Sequence, residues 1–206
     1  MVDPYCYKDT NVLKNLLNIE DSSSFDDAEA DYTSLRLREL AERPLRGKYD
    51  INHFFKMHQY IFQDIFAWAG TPRTINIYKE EPVLGGLSID YSDYKDIEND
   101  LNSSLAKMKE IDWDNSDNLA KTLSGIIAEV WRVHPFREGN TRTVITFFCQ
   151  FIDEKFKKAD RTIFEKNAAY VRTALVAYCA NFGPKADYSK KEYFERIVAD
   201  AIGLKP

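Results

Sequence analysis

The 206-residue sequence predicts an all-α fold, a helical bundle with one small β-hairpin, and three observations favour it. Several segments repeat apolar residues with the 3.6-residue period of an amphipathic helix. The segment TRTVITFFCQFIDEKF (141–156) is apolar on nearly every side, as expected of a central helix surrounded by others. Only one stretch alternates apolar and polar residues in the manner of a strand.

The N-terminal part of the chain differs in composition from the rest. Residues 1–30 carry a short apolar patch and then most of the polar run DSSSFDDAEAD (21–31), which favours a loop or a fraying terminus. A chain of this length, 44% hydrophobic, is enough for one domain that buries roughly 70% of its unfolded surface. We therefore assign 1–30 to an extension and 31–206 to a single domain.

Two helices are predicted before the hairpin. The spacing of leucines in TSLRLRELAER (33–43) is partly helical. The longer segment NHFFKMHQYIFQDIFAWAG (52–70) places its aromatic and aliphatic residues on one face, with Asn52 as the N-cap and Gly70 as the terminating residue. The second helix is expected to be core scaffold.

The alternating stretch is TPRTINIYKEEPVLGGLSID (71–90). Ile75 and Ile77 alternate with polar residues, and Pro82 and the pair Gly85-Gly86 interrupt the pattern. A β-hairpin, or an extended flap of about twenty residues, is the structure this pattern predicts.

Four further amphipathic segments follow the hairpin. They are YSDYKDIENDLNSSLAKMKEI (91–111), NLAKTLSGIIAEVWRVH (118–134), KNAAYVRTALVAYCAN (166–181) and KKEYFERIVADAIG (190–203). The second of these must stop near His134, because Pro135 disfavours helical dihedral angles in the residue before it.

Composition excludes several classes of protein. A formal net charge of −5 argues against a nucleic-acid binder, and no run of about 18 apolar residues indicates a membrane span. The N-terminus has no secretory-signal pattern, and three cysteines without metal-like spacing indicate a reducing compartment. We expect a cytoplasmic protein, with delivery into another cell as an effector left open.

The loop HPFREGNTRT (134–143) between two core helices carries the chemistry. A helix that starts near Asn140 directs its unpaired N–H groups and positive dipole end at the loop, which makes an anion site. Arg142 in the first turn opposes the dipole, so an anion is expected between them. Gly139 allows close approach of the backbone, and a diphosphate suits the arrangement.

Two side chains of the loop suggest catalysis, and each has a structural alternative. Glu138 beside phosphate indicates a bridging Mg²⁺, although an acid there also complements the helix dipole. His134, with an ordinary pKa of about 6.5, could accept a proton from an incoming hydroxyl, or could simply cap the preceding helix.

Together, residues 134–142 read HPFREGNTR, which resembles the Fic family motif HPFx[D/E]GNGRxxR. The similarity extends from about residue 30 to 182 and includes FQDIFAWAGTPRTINI (62–77). It implies an all-helical Fic fold and, most commonly, transfer of AMP from ATP, with Mg²⁺, to a Tyr, Thr or Ser hydroxyl of a target protein.

The resemblance also implies a role for individual residues. His134 would be the base, Glu138 would hold Mg²⁺, and the flap would clamp the target protein. The implied nucleotide-binding residues are Lys79, Gly139, Asn140, Thr141, Arg142 and Tyr170, and the implied flap residues are Ile75, Asn76 and Ile77. An exposed lysine is also consistent with mere solvation, and Tyr170 is equally consistent with a core tyrosine.

Two departures from the motif leave the transferred group open. Thr141 replaces the second glycine, and in the Doc branch, which transfers phosphate, this position is lysine; Ile145 replaces the last arginine. The alternatives are a Doc-like kinase, transfer from another diphosphate-linked donor, and a non-catalytic interaction domain. The inhibitory motif [S/T]xxxE[G/N] is not present in the sequence, so a separate small antitoxin-like partner is an expected alternative.

Overall fold

The computed structural model describes residues 3–114, 118–156 and 159–204. Within them the helices are α1 (Ser22–Glu42), α2 (Ile51–Phe62), α3 (Ile97–Glu110), α4 (Leu119–Val133), α5 (Asn140–Lys155), α6 (Thr162–Lys166), α7 (Ala168–Tyr178) and α8 (Lys191–Ala201). None of these helices is long and apolar enough to cross a bilayer. In the described ranges no residue joins a sheet, which confirms the all-α prediction.

Helix α5 packs against α2 and α4, and α4 in turn contacts α3, α7 and α8. Its aromatic residues Phe147 and Phe148 are fully buried, together with Trp131 of α4 and Phe54 of α2. Burial on several sides explains why the sequence of α5 lacks a polar face. The loop from His134 to Gly139 therefore joins two helices that the core holds rigidly.

The prediction of a loop over residues 21–31 is wrong, because α1 begins at Ser22. Asp21 caps it by accepting a hydrogen bond from the Ser24 backbone N–H at 2.9 Å. Phe25 is buried, and Arg36 pairs with Asp64 beyond α2 at 2.6 Å. The helix runs across residue 30, and the division into extension and domain stays a prediction.

The predicted bounds of α2 are also corrected. Asp50 is the N-cap, since its carboxylate accepts from the His53 backbone N–H at 2.9 Å, and Asn52 lies inside the first turn. The helix ends at Phe62, but Ile65 and Phe66 remain buried in the turns that follow. The apolar pattern thus continues past the last helical residue.

The prediction of a β-hairpin is wrong, because the two extended arms do not form the hydrogen bonds of a strand pair. Residues 75–80 alternate between half-buried and exposed, as expected of extended chain. However, the tip is a 3₁₀ turn (Pro82–Leu84), and the arms share few hydrogen bonds, among them Glu81 N–H to the Leu87 carbonyl oxygen at 3.2 Å. Lys79 N–H donates to the Ser88 hydroxyl instead of to a backbone carbonyl, so no ladder forms. We call residues 74–90 the flap.

Candidate active site

His134 ends α4 in a left-handed backbone conformation, with φ +50°. A positive φ is uncommon outside glycine and here turns the chain back towards α4. The Nδ1 atom lies 3.2 Å from the carbonyl oxygen of Trp131. A carbonyl oxygen only accepts, so Nδ1 carries the proton and the lone pair of the neutral ring is on Nε2. Within the described residues Nε2 has no hydrogen-bond partner.

The imidazole of His134 lies beneath Tyr91. The two ring centroids are 4.1 Å apart, and His134 is only 2% exposed. Burial lowers the pKa of His134 well below its ordinary value, and the positive charges of Lys79 and Arg73 lower it further. The ring is therefore a neutral base at pH 7, and Tyr91 packs against it.

Gly139 immediately precedes α5 with φ +81°, a conformation that favours glycine. A Cβ atom at this position would also collide with the ring of Phe62, so two independent constraints require glycine. No side chain caps α5, which leaves its first N–H groups directed at the loop. Such an uncapped N-terminus is suited to an anion.

The side chains of Asn140 and Thr141 hold the loop in place. The Asn140 amide accepts from the Phe136 N–H at 2.9 Å and donates to the Phe136 carbonyl oxygen at 2.7 Å. The Thr141 hydroxyl accepts from the Trp131 indole N–H at 2.9 Å. Both side chains are therefore fixed by bonds within the protein, while the backbone N–H groups of these residues stay predicted nucleotide contacts.

Glu138 and Lys79 form an ion pair, with Lys79 Nζ 3.2 Å from the carboxylate. Burial raises the pKa of Glu138, but Lys79 and the Gly139 N–H outweigh it, and the net shift is downwards. The carboxylate is thus ionised, as a Mg²⁺ ligand must be. The described residues contain no group of three or more His, Cys, Asp or Glu that could hold a metal.

Arg142 is paired with a residue of α1. Its guanidinium lies 2.6 Å from the carboxylate of Glu29 and donates to the Thr33 hydroxyl at 3.1 Å. The same group lies over the ring of Phe62, 4.9 Å from its centroid. The arginine predicted to bind diphosphate is therefore already paired with a carboxylate of the protein itself.

The flap lies over the same side of the molecule. Glu81 is 1% exposed and accepts two hydrogen bonds from Arg172 of α7, at 2.7 and 2.8 Å, which fastens the flap to the bundle. Asn76 donates to Asp93 at 2.9 Å. Tyr170 is 52% exposed, so the alternative of a core tyrosine is wrong. Its role in nucleotide binding stays a prediction.

Sequence reasoning missed two residues that support the loop. His58 donates from Nε2 to the Glu138 carbonyl oxygen at 3.1 Å and accepts from the Gly70 N–H at 2.8 Å. Arg73 is 2% exposed and donates to the carbonyl oxygens of His134, Ile75 and Ser92. Their only sequence signal is a polar residue among apolar ones, which does not identify its partner.

The buried histidines predict a loss of stability in mild acid. Burial lowers the pKa of His58 to about 3, and the pKa of His134 shifts in the same direction. The unfolded chain binds protons below an ordinary histidine pKa of about 6.5 and the folded chain does not, so the free energy of unfolding falls as pH falls. His58 alone should contribute a loss of about 2 kcal/mol between pH 7.5 and 5.

Urea denaturation at a series of pH values measures this loss. A His58→Gln variant should show a shallower decline between pH 7 and 5, because glutamine does not titrate. Unchanged or rising stability of the wild type across that interval would show that neither ring is held neutral.

Comparison with known proteins agrees with this geometry. Residues 48–152 match the Fic/DOC family model. A relative from Sinorhizobium fredii, named "Probable protein adenylyltransferase y4lH", is 35% identical over 149 residues, which cover 70% of this chain and 72% of that protein. The protein adenylyltransferase VbhT of Bartonella schoenbuchensis is 28% identical over 87% of this chain, and the match spans only 36% of VbhT.

Solved structures show the same fold. BepC from Bartonella tribocorum, a VirB-translocated effector crystallised with AMPPNP, aligns with a TM-score of 0.75 at 18% identity, over 96% of this chain and 95% of that chain. The Fic domain of Bep8 from Bartonella sp. 1-1C aligns with a TM-score of 0.74 at 18% identity, over 96% and 93%. From the matched family model, the y4lH relative and this shared fold, the chain belongs to the Fic/DOC family.

Proposed function

We propose that this chain transfers AMP, or another nucleoside monophosphate, from a nucleoside triphosphate to a Tyr, Thr or Ser hydroxyl of a target protein. The observation that carries the proposal is the Nε2 atom of His134, a neutral base, beside the N-terminus of α5; among the described residues neither has a side-chain partner. The names of the curated relatives and the nucleotide in the BepC crystal support the same reaction class.

In the proposed reaction, the target hydroxyl gives its proton to Nε2 of His134 as its oxygen attacks the α-phosphorus. The bond between the α-phosphorus and the bridging oxygen breaks, and pyrophosphate leaves. The N–H groups at the start of α5 stabilise the phosphate charge. When bound, Mg²⁺ would neutralise the α- and β-phosphates at Glu138.

Binding of the substrates requires three local exchanges. When Mg²⁺ is bound, Glu138 would hold it, and Lys79 would be free to contact phosphate. Arg142 exchanges Glu29 for the diphosphate. The ring of Tyr91 moves away from His134 so that the hydroxyl can enter.

The target protein is proposed to bind along the flap. Ile75, Asn76 and Ile77 lie in extended chain that has no ladder partner, and such a backbone can pair with an extended segment of the target. A small antitoxin-like inhibitor remains a proposed partner. Cytoplasmic location also stays a prediction, and the VirB-translocated relatives support delivery into another cell as the alternative.

Incubation of candidate targets with ATP labelled on either the α- or the γ-phosphate tests the function. We expect protein to take up the α-label only, with the mass of one AMP added. Uptake of the γ-label alone would instead establish phosphate transfer of the Doc type. Identical uptake by wild type and a His134→Ala variant would exclude catalysis by this site.

A further inference from the structure

A cavity of about 400 Å³ lies between α1, α5, α6 and α7 and adjoins the motif. Thr141 and Arg142 line it, so it begins at the first turn of α5, where the proposed nucleotide phosphates bind. Its walls are mostly apolar, with Leu40, Phe164 and Val171 among them. A cavity of this size accommodates an organic group and not only an ion.

Ile145 also lines this cavity, one turn beyond Arg142. This is the position at which the motif ends in an arginine. An isoleucine gives a γ-phosphate no cation. Of the arginines that line the cavity, Arg142 is paired with Glu29 and Arg161 with Asp153, and Arg38 is exposed. The wall around Ile145 is therefore suited to an uncharged group.

Gln150 lies further along α5 on the same wall. It is only 5% exposed, and within the described residues neither its amide nitrogen nor its amide oxygen has a hydrogen-bond partner. Leaving such an amide unpaired when buried is unfavourable, so a buried orphan usually indicates a missing partner. A group that offers both a donor and an acceptor, such as another amide, would satisfy both atoms.

We infer that the cavity binds the leaving-group end of the donor, and that the preferred donor is a nucleoside diphosphate whose β-phosphate carries an uncharged, largely apolar group with an amide-like end. The inference rests on the proposed transfer of a nucleoside monophosphate with His134 as the base, and it replaces the nucleoside triphosphate by this ester as the preferred donor. The target oxygen attacks the α-phosphorus, the bond to the bridging oxygen breaks, an organic monophosphate leaves, and the hydroxyl proton passes to His134.

Calorimetric titration of the full chain, with Mg²⁺, tests the inference through binding alone. The probes are ADP, ATP, the benzyl β-ester of ADP and its 4-carbamoylbenzyl analogue. We expect the carbamoylbenzyl ester to bind at least about tenfold more tightly than ADP, because an aromatic group enters the cavity. A Gln150→Leu variant should lose the advantage of the carbamoylbenzyl over the benzyl ester, about fivefold.

A matched pair of variants checks the location. Thr146 lines the cavity, whereas Thr173 is exposed on α7, so Thr146→Phe should abolish the gain from the ester group and Thr173→Phe should not. Equal binding of ADP and both esters, or a gain that Thr146→Phe leaves intact, overturns the inference while the proposed function stands. If no probe binds at all, the anion site itself fails, and the proposed function fails with it.

Discussion

A His134→Ala variant is expected to transfer nucleotide about 10²- to 10⁴-fold more slowly than the wild type, the usual contribution of a general base. The reason lies in the ring geometry. Because the carbonyl oxygen of Trp131 holds the Nδ1 proton, the Nε2 lone pair has a fixed direction. His58 lies beside the same loop, but its two ring nitrogens bond to the Glu138 carbonyl oxygen and the Gly70 N–H, and both ring nitrogens of His53 are bonded to backbone as well.

Initial rates with α-labelled ATP and a target, at saturating nucleotide, measure this effect. The free energy of unfolding of the variant serves as the control for folding. It should fall only by the lost packing and the lost Nδ1 bond to Trp131, since within the described residues Nε2 has no partner. Retention of more than a tenth of the wild-type rate would show that another group accepts the proton.

An Arg73→Met variant is expected to lose about 3–5 kcal/mol of stability. Methionine keeps the apolar length of the side chain but removes every donor. The guanidinium reaches the carbonyl oxygens of His134 at 2.9 Å and Ile75 at 2.6 Å, and also that of Ser92. A buried acceptor that loses its donor costs about 1–3 kcal/mol. Activity should fall as well, because the same contacts join the flap to the catalytic loop.

Chemical denaturation measures this loss, with Arg73→Lys as the control. Lysine retains the charge, but a single ammonium group cannot reach three carbonyl oxygens that lie in different directions. It should therefore recover only part of the stability. A methionine variant within about 0.5 kcal/mol of the wild type, the range of an ordinary surface substitution, would mean that water replaces the guanidinium without cost.

The helices of the core could be predicted from the sequence because their information is local. The 3.6-residue period identified α4, a segment that is apolar on nearly every side identified α5, and Pro135 fixed the end of α4. Helix starts were harder, since the cap at Asp50 rather than Asn52 depends on one hydrogen bond. The prediction of a β-hairpin in the flap failed for a similar reason. Alternation of apolar and polar residues indicates extended chain, but it does not show whether two extended arms form hydrogen bonds with each other.

The motif itself correctly placed an uncapped helix start beside a histidine and an acid. What it did not reveal are contacts between residues distant in the chain. Arg73 meets His134 across 61 positions, and Arg142 meets Glu29 across 113. A single sequence does not show which charged or polar residues will meet in the fold. The polar run of residues 21–31, predicted to be a loop, is helical from Ser22 onwards because α1 packs against the rest of the protein there. A prediction from composition alone does not take that packing into account.

In the proposed binding of diphosphate by Arg142, the pair that Arg142 forms with Glu29 makes α1 a thermodynamic competitor of the nucleotide. The Glu29 carboxylate and the diphosphate cannot both pair fully with the Arg142 guanidinium. Each therefore weakens the binding of the other to Arg142 by the same free energy. Any event that draws α1 away from the bundle therefore increases nucleotide affinity. Conversely, a bound diphosphate loosens the first half of α1, and the amide protons of that segment should then exchange faster with solvent.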